Sequence, residues 1–159
     1  MAAPKILQVF SRYEYYGGEE SSVYRIGDAL QQFCEVEYFL ASTAEFLNTT
    51  PWKKATIPAR IFYNPEVLRR LRRFQGIGRF NLWQIHNVFP AMSPAVYTEA
   101  FKLGIPVVHY LHNYRFGCTN GFLLNHGSPC QKCIKGNFWP AVMNEACAKR
   151  PKPPRMTVF

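Results

Sequence analysis

WQIHNVFPAMSP at 83–94 and VVHYLHNYRFGCTNGFLLNHGSPCQKC at 107–133 decide how this chain reads. Each opens on a short β-branched and aromatic run that ends in His-Asn, and such runs bounded by turn residues read as buried strands. In an α/β domain the carboxyl ends of parallel strands open onto the ligand crevice. That rule places His86 and His112 side by side where a substrate binds.

Working outward from these two segments, strands and helices alternate. Lys5 to Ser11 reads as a first strand, followed by a loop with Gly17-Gly18 and a helix carrying Val23, Ile26, Leu30 and Phe33 at helical spacing. Val36 to Leu40 is a second strand. From Ser42 to Ile61, Pro51 and Pro58 interrupt the pattern, and the stretch reads as irregular loop. Asn64-Pro65-Glu66 supplies a cap, a first-turn proline and an acid matched to the helix dipole, opening a helix with Val67, Leu71 and Phe74 inward. A Gly76-Ile77-Gly78 turn is expected to end it. Asn81 to His86 is a strand, Ser93-Pro94 starts a helix that Gly104 stops, and Pro106 to Leu111 is the next strand. The alternation predicts a mostly parallel sheet covered on both faces, a Rossmann-like three-layer α/β sandwich.

With 159 residues, 48% hydrophobic and 18% charged, the chain suits one core. We read 1–148 as one domain with a cysteine-rich loop at 117–147, and 149–159 as a basic tail. No apolar run reaches the roughly 18 residues that cross a bilayer, and MAAPKILQVF lacks the features of a signal peptide. The expectation is a cytoplasmic protein, at most peripheral at the inner face of a membrane. A formal charge of +9 asks for an anionic partner. Arg69, Arg70, Arg72 and Arg73 crowd one helix, and Lys149, Arg150, Lys152 and Arg155 crowd the tail; a solvated helix face and a field over an anionic membrane surface both account for them.

Cys118, Cys130, Cys133 and Cys147 are separated by eleven, two and thirteen intervening residues. A Cys-x2-Cys knuckle with two outlying thiols can close a tetrahedral zinc site; disulfides and packed free thiols are the alternatives. Four thiolates leave no open position, so such a zinc is structural. Cys34 reads as a lone core residue.

KILQVFS, the GGEE loop, HNVFPAMSP, LHNYRFGC and SPCQKC, in this order, resemble the amino-terminal domain of a family-4 glycosyltransferase, the retaining group of GT-B fold. The likeness runs from Lys5 to about Cys147. It implies sugar transfer from a nucleotide-sugar donor to a glycan or lipid-linked acceptor, as in polysaccharide biosynthesis. In that family the amino-terminal domain holds the acceptor, and a carboxyl-terminal domain grips the nucleotide and supplies a Glu-x7-Glu motif. The chain is expected to end where that second domain begins, and so to be inactive alone. Glu37 and Glu45 have the Glu-x7-Glu spacing, but Glu37 falls in a strand of the first domain.

By the same resemblance His112 is the catalytic-site histidine. Gly17, Gly18, Glu19, Glu20, His86, Asn87, Asn113 and Arg115 are contacts for acceptor or donor phosphate. A tight turn of positive φ is the competing reason for Gly17-Gly18, and helix-dipole stabilisation that for Glu19 and Glu20. His109, inside a strand, reads as structural. A bared cleft wall favours self-association. A basic nucleic-acid-binding or non-catalytic interaction module is the alternative function; aromatics placed within strands and core faces, apart from the arginines, speak against nucleic acid.

Overall fold

The computed structural model describes residues 3–14 and 16–137. The chain divides into two compact units, Met1–His112 and Asn113–Phe159.

In the first unit, β1 (Lys5–Arg12), β2 (Glu35–Ser42), β3 (Leu82–Ile85) and β4 (Val107–His109) form one sheet in the order β2-β1-β3-β4, every neighbouring pair parallel. Helices flank it: α1 (Gly18–Leu30), α5 (Pro65–Gly78) and α6 (Ala95–Lys102). This is a Rossmann-like α/β fold, because parallel strands need crossover helices and those helices cover the faces. Strand alternation sends Leu7, Val9, Phe39, Ala41, Trp83 and Ile85 to one face, where they pack with Leu68, Leu71, Val96 and Ala100 into the main core. The residues between them face α1. There Gly27 is needed for close approach, since a Cβ on it would overlap the Tyr38 hydroxyl.

The Asn64 cap forms as its sequence demands. Its Oδ1 accepts from Val67 N–H, and its Nδ2 donates to Ala91 O at 2.6 Å, tying the start of α5 to the loop after β3. The end of α5 differs from expectation. Helix persists through Gly78, and Arg79 takes the left-handed cap at φ 51°, donating to Gln75 O. Gly78 is there for space: a Cβ would run into the Phe80 ring. Gly104, at φ 65°, does stop the segment after α6.

Three further corrections apply. The stretch read as irregular loop holds α2 (Thr43–Leu47), α3 (Pro51–Ala55) and α4 (Ile57–Phe62). Pro51 and Pro58 sit in the first turns of α3 and α4, where a missing N–H costs nothing, so they start helices instead of interrupting them. Phe33 lies beyond the end of α1 and is 77% exposed. Cys34 is half-buried, outside the main core, with its thiol donating to Leu30 O at 3.2 Å. Among the described residues no helix is long and apolar enough to cross a membrane.

The second unit is described over 113–137. Its regular structure is a small hairpin of β5 (Leu124–Asn125) and β6 (Ser128–Pro129), joined by His126 and Gly127 at φ 49° and 78°. Two successive positive φ values are what a tight two-residue hairpin turn requires, and glycine meets the second without strain.

Candidate functional site

His86 directly follows β3, and the strand pairing carries on past the formal ends. His86 N–H donates to Val9 O, and Tyr110 N–H donates to Ile85 O. The main chain therefore fixes His86 at the carboxyl edge of the sheet centre, with 1% of its surface exposed. His112 lies three residues beyond the end of the neighbouring strand β4. Their rings stack with centroids 5.1 Å apart, and His86 Nδ1 lies 2.8 Å from His112 Nε2. Tyr110 packs against both imidazoles, and Phe10 meets His86 edge-on.

The sequence reading did not select Gln8, the third member of this chain. From β1 its Oε1 is hydrogen-bonded to His86 Nε2. An amide oxygen only accepts, so His86 carries its proton on Nε2 and presents Nδ1 as an acceptor to the Nε2–H of His112. This relay leaves the lone pair of His112 Nδ1 as its terminus. A signal for Gln8 did exist in the sequence, where it is the one polar residue in the run Ile6 to Phe10; the structure buries it fully. Its Nε2 has no hydrogen-bond partner among the described residues.

Burial and the neighbouring His112 and His109 push the His86 pKa down to about 4. Burial also lowers His112, opposed by the nearby Glu19 carboxylate, and lowers His109. The relay is consequently neutral at neutral pH and works through hydrogen bonds rather than charge. His109 lies beside it with its ring against the Tyr97 hydroxyl, 3.1 Å from Nδ1. Burial raises the pKa of that hydroxyl.

Gly17 and Gly18 open α1 in a way that rules out the tight-turn explanation. Gly17 is extended at φ −146°, and neither glycine has positive φ. A Cβ at either position would meet nothing within 4 Å. What the glycines leave is open space over the first turn of a thirteen-residue helix. Glu19 and Glu20 both sit in that turn, as the dipole reading requires. Glu20 is buried and ion-paired through Oε1 with Arg12 Nε at 2.9 Å, while its Oε2 has no hydrogen-bond partner among the described residues.

Asn87 serves the loop itself. Its Nδ2 donates to Phe89 O and its Oδ1 accepts from Phe89 N–H, clamping the turn that contains the cis Phe89–Pro90 bond. Asn113 and Arg115 belong to the second unit, where Asn113 Oδ1 accepts from Arg115 N–H. Cys118 and Cys133 are buried free thiols, and Cys130 is a half-buried one. Cys118 donates to Asn120 Oδ1. Cys147 lies outside the described residues, as does the basic tail at 149–159. Among the described residues, no three His, Cys, Asp or Glu side chains gather into a group able to hold a metal ion.

The arginine-rich helix is partly committed within the fold. Arg72 forks onto the buried Glu99 of α6, and Arg70 lies over the Phe39 ring. The aromatics also depart from expectation. Trp52 is 87% exposed and Phe62 72%; Tyr63, next to Phe62 in sequence, is exposed as well, and Lys53 and Lys54 follow Trp52 on α3. Helical periodicity could not place them, because α3 and α4 are too short to carry a period.

No protein-family model matches the chain, no curated protein matches it, and no solved structure matches it.

Proposed function

We propose that this chain is the acceptor-side half of a glycosyltransferase that draws on a nucleotide-sugar donor. The observation that carries the reading is the Gln8–His86–His112 relay at the carboxyl edge of a parallel sheet, where α/β enzymes bind their ligands. Its terminal imidazole nitrogen, on His112, is a neutral acceptor for a sugar hydroxyl. Gln8 and His86 hold its tautomer and orientation, so the acceptor meets a preset hydrogen bond. The unobstructed start of α1 at Gly17-Gly18 supplies amides and a positive dipole end for an anionic group of donor or acceptor. The nucleoside is held by a carboxyl-terminal domain, which brings the cationic groups that a departing diphosphate needs.

A lipid-linked acceptor brings the protein to a membrane face. The exposed Trp52, Phe62 and Tyr63 with Lys53 and Lys54 suit an interface of that kind, aromatic rings entering the headgroup layer and lysines meeting anionic lipid. In this reading a structural zinc is held by Cys118, Cys130, Cys133 and Cys147 of the cysteine-rich loop.

The test is transfer from a panel of radiolabelled nucleotide sugars, using the protein expressed from its native reading frame. In that protein His112→Ala is expected to lower kcat by about 100-fold or more with little change in melting temperature. An unchanged kcat would remove His112 from the reaction. Sedimentation with anionic vesicles, lost in Trp52→Ala/Phe62→Ala, supports the membrane face; retention on single-stranded nucleic acid instead of vesicles favours a nucleic-acid module.

A further inference from the structure

Among the described residues, strand β2 lies at the edge of the sheet and is bonded to β1 alone. Glu35 N–H donates inward to Pro4 O. Alternation along the strand therefore turns Glu37, Phe39 and Ala41 inward as well and directs the backbone groups of Val36, Tyr38 and Leu40 outward. Beside this open edge runs a groove of about 360 Å³. Phe39, Leu40, Phe74 and Ile77 line it, together with Arg70 and Arg73. Ile77 is 75% exposed.

Three charges beside this edge, Glu37, Arg70 and Arg73, form no salt bridge among the described residues. Among the described residues neither Arg70 nor Arg73 has an ion pair, and Arg70 is held over the Phe39 ring at 5.7 Å. Glu37 is exposed and likewise forms no salt bridge. By strand alternation Glu37 and Phe39 point to the same face of the sheet.

We infer that a second copy of this chain adds to β2 in antiparallel register about a two-fold axis at Tyr38, joining two four-stranded sheets into one. The inference does not depend on the transferase reading. With Tyr38 opposite Tyr38, Val36 lies opposite Leu40, so the outward backbone groups meet as hydrogen-bonded pairs. Glu37 then faces Phe39 of the second copy in a non-hydrogen-bonded pair, where side chains approach most closely. Each Glu37 carboxylate is thereby brought to the other copy's Arg70, already lying over Phe39. A two-fold axis makes the pairing occur twice. Charge on an edge strand ordinarily repels a second strand, and a parallel in-register pairing would set Glu37 against Glu37. The antiparallel arrangement converts that repulsion into two ion pairs. Because the chain carries +9 overall, a second copy is repelled over most of its surface, and an edge that offers its own acid to its own arginines is where self-association is favoured.

Sedimentation equilibrium on the whole chain tests this, with circular dichroism to confirm folding. A monomer–dimer equilibrium is expected. Glu37→Arg and Arg70→Glu are each expected to weaken it tenfold or more, and the swapped double variant Glu37→Arg/Arg70→Glu is expected to recover most of the loss, a rescue that general damage to the fold cannot produce. Three results would overturn the inference: a monomer at all concentrations up to about 1 mM, a dimer indifferent to both reversals, or a monomer whose β2 edge binds an extended acidic peptide instead.

Discussion

The two faces of the sheet are built from the same four strands and are chemically unlike. Toward α5 and α6 the buried residues are Leu7, Val9, Phe39, Ala41, Trp83 and Ile85, all apolar. Toward α1 they include Gln8, Gln84 and His86, with Phe10 among them. A fold needing only stability would fill both faces alike, since each buried polar group has to recover its desolvation through hydrogen bonds. The contrast assigns the two faces different work. One supplies the core, and the other carries a polar relay to the carboxyl edge, where His112 ends it.

The largest expected effect tests the apolar face. Trp83 is fully buried, and its indole N–H donates to Gln75 Oε1 at 2.7 Å. Trp83→Ala should cost about 3–5 kcal/mol in urea unfolding through the cavity it leaves. A loss under about 1 kcal/mol would mean that this face is not the main source of stability.

Next in size is the pH dependence of the polar face. Burial holds the folded His86 pKa at about 4 against an ordinary 6.5, so between those values the unfolded chain binds the proton more tightly. Its contribution is complete above about pH 6.5 and is lost as pH falls toward 4, by on the order of 3 kcal/mol. His112 and His109, also lowered, act in the same direction. Denaturation of the wild type and of His86→Gln across this window isolates the term. Parallel curves would show that His86 protonates in the folded state without penalty.

A smaller effect sharpens the relay. Gln8→Leu keeps the shape of the strand but takes away the acceptor of His86 Nε2–H, at a cost of about 1 kcal/mol. Nitrogen-15 shifts should show the His86 Nε2–H tautomer in the wild type and its loss in the variant. The same tautomer in both would show that Gln8 does not set it. The smallest expected change is Gly17→Ala, less than about 0.5 kcal/mol in stability, because the position is extended and open. If a ligand approaches those amides, the variant weakens binding while its melting temperature stays put.

Much of this architecture is visible in the sequence because its causes are local. β1, β3, the Asn64 cap and the stop at Gly104 follow from residue patterns that act over a few positions. The strand-end rule likewise brings His86 and His112 to adjacent strands from sequence alone. The misreadings share a cause of another kind. Pro51 and Pro58 carry the same backbone constraint whether they break or begin a helix, and only the neighbouring turns show which. Gly78 looks like a terminator, yet it is demanded by the Phe80 ring.

By itself, then, the sequence determined the alternation of strands and helices, the parallel sheet and the two histidines at strand ends, since periodicity and caps are short-range effects. Only the tertiary structure decided which group orients them. Gln8 and His86 are 78 residues apart, and they meet because parallel pairing of β1 with β3 sets Gln8 opposite Gln84, two residues short of His86 on the same face. That register depends on how whole strands pack, and no local pattern encodes it.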